Sequence, residues 1–464
     1  MRLRGGKRQK NQLELAFAPA GRGEASPVGT EGTETLRAAQ VCQGRASTEF
    51  LTEAVCEPGN LKRALRRVCE NQGGPGVDGM TVAKLPAYLG DHWSQIRSQL
   101  LAGSYKPRPV KRVDIPKPGG GRRKLGIPTV LDRLVQQAIL QVLQPEWDTT
   151  FSEHSYGFRP HRDAHQAVAR AQEIVVEGYG WVVDIDLEQF FDRVNHDRLM
   201  ARVAERVKDK RLLKLIRAFL NAGILEDGLV SPTEEGTPQG SPLSPLLSNL
   251  VLDELDRELE RRGLRFVRYA DDCNIYVGSE RAGQRVMKSI SAFITRKLRL
   301  KVNTAKSAVA KPSSRKFLGF SLSDGAQPKR LIAPEALRRF RRRVVELTGR
   351  NRGISLKRMI GELSQYLSGW ANYFGFCERR TDLRDLDGWI RRRLRCVAWK
   401  QWKTGRKRYS ELRRRGVNAE LAKGTAGSSR GAWHLSLTKA MSQALPNRHL
   451  SYLGLLTLET WPNV

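Results

Sequence analysis

Cysteine is scarce and scattered. The six, Cys42, Cys56, Cys69, Cys273, Cys377 and Cys396, form no Cys-x-x-Cys pair and have no run of histidine beside them, which argues against a disulfide framework and a zinc module. Long apolar runs are missing too. None approaches the roughly 18 residues of a membrane span, and the polar, basic N-terminus has no signal-peptide apolar core. The expectation is a protein of a reducing cytoplasm with no membrane partner. Acidic residues are the third shortage: 81 Lys and Arg stand against 48 Asp and Glu, a formal net charge of +33 over 464 residues. Surplus like charge costs compactness, and each cation set against a phosphate releases counterions, so the expected partner is a large polyanion, nucleic acid first. Aromatics reach only 7%, but hydrophobic residues make up 40%, enough for several cores, which excludes wholesale disorder.

Along the chain the pattern is α+β. Residues 1–48 are rich in Gly, Arg, Thr and Glu and read as a flexible tail. Leu61, Leu65 and Val68 mark a helix, closed by the glycine-rich turn Gly73 to Gly79. Val110 to Pro128 alternates apolar and basic residues around Gly119-Gly120-Gly121, the pattern of a two-stranded hairpin. Two apolar strands follow, Trp181 to Leu187 and Phe266 to Val277, the second interrupted by Ala270-Asp271-Asp272. Between them Leu243, Leu246, Leu247, Leu250, Leu255 and Leu259 recur at helical spacing, started by Pro242 and ended by Gly263, with acids and arginines on the opposite face.

The composition changes after residue 326. Residues 327–464 hold 30 Lys and Arg against 10 Asp and Glu, which places 20 of the 33 net charges there. Leu356, Met359, Ile360, Leu363, Leu367, Trp370 and Phe374 define an amphipathic helix behind Ser355 as its N-cap. Trp389, Trp399 and Trp402 then lie among Arg391-Arg392-Arg393, Arg406-Lys407-Arg408 and Arg413-Arg414-Arg415, a charge density suited to a phosphate-binding face. The expected organisation is a tail over 1–48, an α+β body over 49–326, a helical domain over 327–395 and a basic, DNA-binding segment over 396–464.

Asp271 and Asp272 fall at the turn of a hairpin with apolar arms, and Asp184 and Asp186 end another apolar strand. Acids converging at one sheet edge make chemical sense if they hold two divalent metal ions for phosphoryl transfer. Alone, Asp-Asp would be an ordinary turn. Residues two apart share one side of a strand, so periodicity leaves Asp184 and Asp186 both open as the third acid.

Tyr269-Ala270-Asp271-Asp272 resembles the Y-x-D-D signature of reverse transcriptases. The order of Ile115-Pro116-Lys117-Pro118-Gly119, Leu125-Gly126-Ile127-Pro128-Thr129, Tyr156-Gly157-Phe158-Arg159-Pro160, Thr237-Pro238-Gln239-Gly240-Ser241-Pro242 and Phe317-Leu318-Gly319-Phe320 is similar to the group II intron reverse transcriptase/maturases. The family commonly has a second glycine where Ser241 stands. The resemblance implies a right-hand polymerase, with antiparallel sheet in its fingers and palm, followed by a helical thumb, or maturase, domain that carries Gly369-Trp370-Ala371-Asn372-Tyr373-Phe374. It selects Asp186 over Asp184 by the spacing to Phe191, and so implies Asp186, Asp271 and Asp272 as catalytic ligands of two Mg²⁺ ions. Phe191 would exclude a 2′-hydroxyl; Lys117, Arg123 and Lys306 would meet the triphosphate of a dNTP, and Gln239 the nucleotide or minor groove. Arg391, Arg392, Arg393, Arg406, Lys407 and Arg408 would hold nucleic acid.

The partners so implied are group II intron RNA, template RNA and a DNA primer or target. The function implied is RNA-directed DNA synthesis joined to intron splicing and target-primed mobility. A splicing cofactor with vestigial polymerase activity, and a retron or defence-type reverse transcriptase, stand as alternatives. Nothing in the last segment resembles the family's H-N-H endonuclease, as in the class C intron proteins, and the sequence leaves the oligomeric state open.

Overall fold

The computed structural model describes residues 48–116, 122–226, 229–231, 235–236 and 240–461, with the side chain of Arg123 outside that set. The expected tail, Lys117 and Gln239 therefore lie outside the described residues. The chain divides into two compact units. One takes the described residues of Met1–Asp163, Val183–Ile275 and Gln284–Ala308, the other those of Ala164–Val182, Tyr276–Gly283 and Val309–Val464.

In the first unit the helix Pro58–Asn71 buries Leu61, Ala64, Leu65 and Val68, as their spacing requires, and Glu57 caps it by accepting from the amides of Gly59 and Asn60. It closes on Gln72, whose φ of 45° makes a glutamine the left-handed cap, one residue ahead of the glycines expected to end it. Strands β1 (Val110–Pro116) and β2 (Arg122–Ile127) pair antiparallel with Val113 opposite Leu125. They form the hairpin the alternation predicts. β1 also pairs in parallel with β4 (Ile224–Glu226), which β5 (Leu229–Ser231) extends to the edge of a four-stranded sheet.

A second four-stranded sheet has the order β6 (Arg265–Tyr269), β7 (Asp272–Val277), β3 (Trp181–Ile185), β8 (Ala308–Ala310). Phe266, Val267, Cys273, Ile275, Tyr276 and Val277 are all buried, as are Val182, Val183 and Ile185, which accounts for the near-continuous apolar sequence of these strands. The helix Ser244–Arg261 has Pro245 in its first turn, where the missing N–H costs nothing. Its expected polar face is only partly real. Asn249, Asp253 and Asp256 are buried with the leucines.

In the second unit β9 (Phe320–Leu322) and β10 (Arg330–Ile332) form an antiparallel pair ahead of three helices, Pro334–Leu347, Leu356–Phe374 and Arg380–Gln401. Ser355 does cap the second, its hydroxyl accepting from the Arg358 amide at 3.3 Å. Phe340, Leu363, Leu367, Trp370, Leu386 and Leu394 form one core, to which Leu450, Leu455 and Leu458 return. Cys396, Trp399, Trp402, Leu412 and Met441 form another. Helix Arg380–Gln401 supplies both, so the boundary expected at residue 395 falls inside a helix. Among the described residues no helix is long and apolar enough to cross a membrane.

Candidate active site

The acidic turn joins two strands, β6 and β7, whose side chains are largely buried. Ala270 and Asp271 join β6 to β7, and Ala270 takes a left-handed backbone, φ 56°, uncommon for a residue with a Cβ. Asp271 is half-buried and Asp272, the first residue of β7, is exposed. Asp186 immediately follows β3, the strand beside β7. Burial, reinforced by the carboxylates of Asp256, Asp184 and Asp272, pushes the Cys273 thiol well above its ordinary range. Asp184 and Asp272 thus act electrostatically on the same sulfur.

The segment Asn303 to Ser307 wraps Asp186. The Asn303 amide donates to the Asp186 carbonyl at 2.8 Å, and the Asp186 amide donates to the Ser307 hydroxyl at 3.0 Å. Lys306 holds its ammonium 3.6 Å from the Asp186 carboxylate. Two expected site residues, Lys306 and Asp186, are brought together. Upstream, the Glu188 amide donates to the Lys301 carbonyl at 2.7 Å, and Glu188 pairs with Lys301 at 2.9 Å. The chain then enters the short helical turn Phe190–Asp192. Phe190 is buried; Phe191 is half-buried and meets the Phe190 ring edge-on at 5.1 Å. The two phenylalanines therefore differ in burial, Phe190 packed in the core and Phe191 partly exposed.

Beneath the acidic turn lies a fully buried ion pair. The Arg268 guanidinium donates to both Asp256 carboxylate oxygens at 2.7 and 2.5 Å, to Asn249 Oδ1 at 3.0 Å and to the Ala270 carbonyl at 2.9 Å. Asn249 in turn donates to the Gly157 carbonyl at 2.9 Å. Burial pushes the Asp256 carboxyl up and the Arg268 charge pulls it back. A carboxylate forked by a guanidinium, which does not deprotonate, is the arrangement that makes a buried charge tolerable. A Cβ on Gly157 would stand 2.3 Å from the Ala270 nitrogen and 2.9 Å from the Tyr269 carbonyl carbon. Only glycine permits that approach.

None of Arg268, Asp256, Asn249 or Gly157 was expected at the site from the sequence. The available signals were an arginine inside an apolar strand and Asp256 within the leucine ladder of its helix, since a charge at a core position demands a partner.

Among the described residues no three carboxylate, imidazole or thiol groups already form a metal cage. Asp186, Asp271 and Asp272 are carboxylates, the donor type a hard divalent ion takes, with Asp186 directly after β3 and Asp272 opening the neighbouring β7. Of the expected nucleotide contacts, Arg123 sits in β2 opposite Ile115, while Lys117 and Gln239 lie outside the described residues.

The basic residues belong to the second unit and separate into two kinds. Arg406 and Lys407 are exposed on helix Gly405–Arg414, with Lys407 3.1 Å from Glu411. Arg408 lies over the Trp399 ring at 4.9 Å. The triplet Arg391 to Arg393 is not the open face its sequence suggests: all three are half-buried. Arg391 faces Asp387 at 3.8 Å, Arg392 stacks on Trp433 at 3.9 Å, and Arg393 donates to the Thr348 hydroxyl at 2.7 Å. Their planar heads are used in packing, which a lysine could not match.

With this geometry in hand, comparison with known proteins locates the chain. Residues 115–322 match the model of "Reverse transcriptase (RNA-dependent DNA polymerase)", and residues 337–416 match "Group II intron, maturase-specific domain". Protein YkfC of Escherichia coli is 40% identical over 221 residues, covering 46% of this chain and 58% of that protein. Group II intron-encoded protein LtrA of Lactococcus lactis is 38% identical over 175 residues, 38% of this chain and 29% of that protein. A protein in the cob intron of Schizosaccharomyces pombe is 35% identical over 184 residues, 40% and 22% of the two chains. The chain thus spans less than two thirds of the length of these relatives. With a reverse transcriptase region and a group II intron maturase-specific region in succession, and an acidic hairpin turn within the first, the chain is similar in both regions to the group II intron reverse transcriptase/maturases.

Proposed function

We propose that the protein is an RNA-directed DNA polymerase that also binds its intron RNA, assisting splicing and supporting mobility by target-primed reverse transcription. The observation that carries this reading is the Asp271-Asp272 turn, placed beside the strand of Asp186 and fixed from below by Arg268 and Gly157. Asp186, Asp271 and Asp272 would hold two Mg²⁺ ions, which when bound activate the attacking 3′-oxygen and stabilise the leaving one. Lys306, largely exposed beside Asp186, is suited to follow a dNTP triphosphate. Lys117, Arg123 and Gln239 are proposed, from the resemblance, to complete the nucleotide site. Template RNA and a DNA primer would occupy the polymerase, and the bacterial relatives support a bacterial cytoplasmic setting. Primer extension on an RNA template with dNTPs and Mg²⁺ tests the reading; no DNA product under any template would leave a splicing cofactor in its place.

Phe191 is proposed to exclude a 2′-hydroxyl by size. Phe191→Ala and Phe191→Val are expected to admit ribonucleotides while retaining DNA synthesis. Discrimination between dNTPs and rNTPs, measured as the ratio of kcat/KM values, decides the point, and an unchanged ratio would return Phe191 to core packing.

RNA binding is proposed to draw on the basic residues of the second unit, Arg406, Lys407 and Arg408 together with Arg391, Arg392 and Arg393. The slope of log affinity against log salt is then steep, roughly 0.7 to 0.9 per neutralised phosphate. Replacing Arg406 and Lys407 together by alanine is expected to flatten that slope with the fold intact, because both are exposed. Replacing Arg391 to Arg393 is expected to lower stability as well, because Arg392 and Arg393 pack against Trp433 and Thr348. A slope unaltered in the Arg406/Lys407 variant would place the RNA elsewhere.

A further inference from the structure

The turn that carries Phe191 is held from a direction the catalytic acids do not explain. Gly236, φ 95°, lies so close that a Cβ there would be 2.9 Å from the Phe191 carbonyl oxygen and 3.0 Å from Asp192 Cα. Its amide donates to the Val194 carbonyl at 2.8 Å, and Asn195 and Glu235 form an antiparallel bridge beside it. Its carbonyl meets Nε2 of His196 at 2.6 Å. His196 is 3% exposed, and its other ring nitrogen, Nδ1, is 3.0 Å from Asn221 Oδ1. A buried imidazole held between the Gly236 carbonyl and the Asn221 side-chain amide is restrained in orientation, and with its proton on Nε2 it donates to the Gly236 carbonyl and fixes it.

We propose that Gly236 and His196 are positioning residues for sugar selection: together they set the height of the Phe191 backbone, and through it the clearance left for a 2′-substituent. The inference rests on the reading of Phe191 as the sugar-sensing side chain. It adds that selectivity is fixed by a backbone contact and not by the size of the ring alone. Steric exclusion of one oxygen is a matter of a few tenths of an ångström, the displacement a methyl at Gly236 forces on the Phe191 carbonyl. The opposite side of the segment is tied down at Glu188 and Asp186 by Lys301 and Asn303, so the displacement must be taken up in the Phe190–Asp192 turn.

The test is a double-mutant cycle on the full chain, reading the ratio of kcat/KM for a dNTP to that for the matching rNTP. Gly236→Ala and His196→Ala are each expected to reduce the ratio by about tenfold, the scale of a sub-ångström misplacement at a reacting centre. His196→Gln, which returns a donor toward the Gly236 carbonyl, is expected to recover much of the loss. In a Phe191→Ala background Gly236→Ala is expected to change the ratio no further. If Phe191→Ala by itself leaves the ratio unchanged, the reading of Phe191 fails and the inference with it. If Phe191→Ala collapses the ratio but the Gly236→Ala effect adds in full on top, or if His196→Gln is as impaired as His196→Ala, the positioning inference alone is overturned. Should Gly236→Ala fail to fold, the His196 pair carries the same decision.

Discussion

Asp271→Asn and Asp272→Asn are each expected to reduce primer extension by roughly a thousandfold or more. Stabilisation of transition-state charge by a metal ion is worth several kcal/mol, and each 1.36 kcal/mol is about a factor of ten in rate. Asparagine keeps the shape of the turn and removes the charge that the proposed ions require. RNA affinity is expected to stay within about twofold, because the proposed RNA contacts are made to phosphates by Lys and Arg and not by the acidic turn. The measurement is single-turnover extension on an RNA template, with a parallel RNA titration. Extension at the unmodified rate in either variant would remove these acids from the chemistry.

Arg268→Met is expected to be nearly as damaging, by a different route. Methionine approximates the length of the arginine but leaves the Asp256 carboxylate buried without its partner, a loss of about 3 to 5 kcal/mol when a buried pair is broken from one side. Chemical denaturation reads that directly. Pairing it with Asp256→Leu removes the orphaned charge, and replacement of both members of a buried pair by apolar groups is often close to neutral. Stability should therefore return in the double variant. DNA synthesis should not, because the hydrogen bonds from Arg268 to the Ala270 carbonyl and to Asn249 are still missing. A double variant that regains both would show that Arg268 serves the fold and leaves the acidic turn to position itself.

The parts of the molecule legible in the sequence are those whose signal is local. The hairpin of β1 and β2 announces itself through alternation, and helix Leu356–Phe374 through its apolar spacing and Ser355. Asp271 and Asp272 stood out because two acids interrupt an apolar strand. Arg268 escaped because its partner is twelve residues away on a helix, and pairing across elements leaves no one-dimensional period. Asp256 gives no amphipathic signal because that helix is buried around more of its circumference than an amphipathic surface helix. Arg391 to Arg393 illustrate the opposite difficulty, packing that a run of charge conceals. A run of arginines reads as a solvated or phosphate-binding surface, yet guanidinium planes stack on tryptophan and fork to carbonyls, so they can be structural where three lysines could not. His196 and Gly236 carried no signal, since one histidine and one glycine acquire meaning only from what they touch.

Helix Arg380–Gln401 runs through both hydrophobic cores of the second unit, with Leu394 and Val397 in one and Cys396 and Trp399 in the other. Its 22 residues make a rod about 33 Å long at 1.5 Å per residue. Between the cores there is no loop, glycine pair or proline at which such a rod could flex without breaking its own hydrogen bonds. The second unit is therefore built like a crankshaft with two throws: a torque on the cluster around Trp402 would turn the cluster around Phe340 through the same angle.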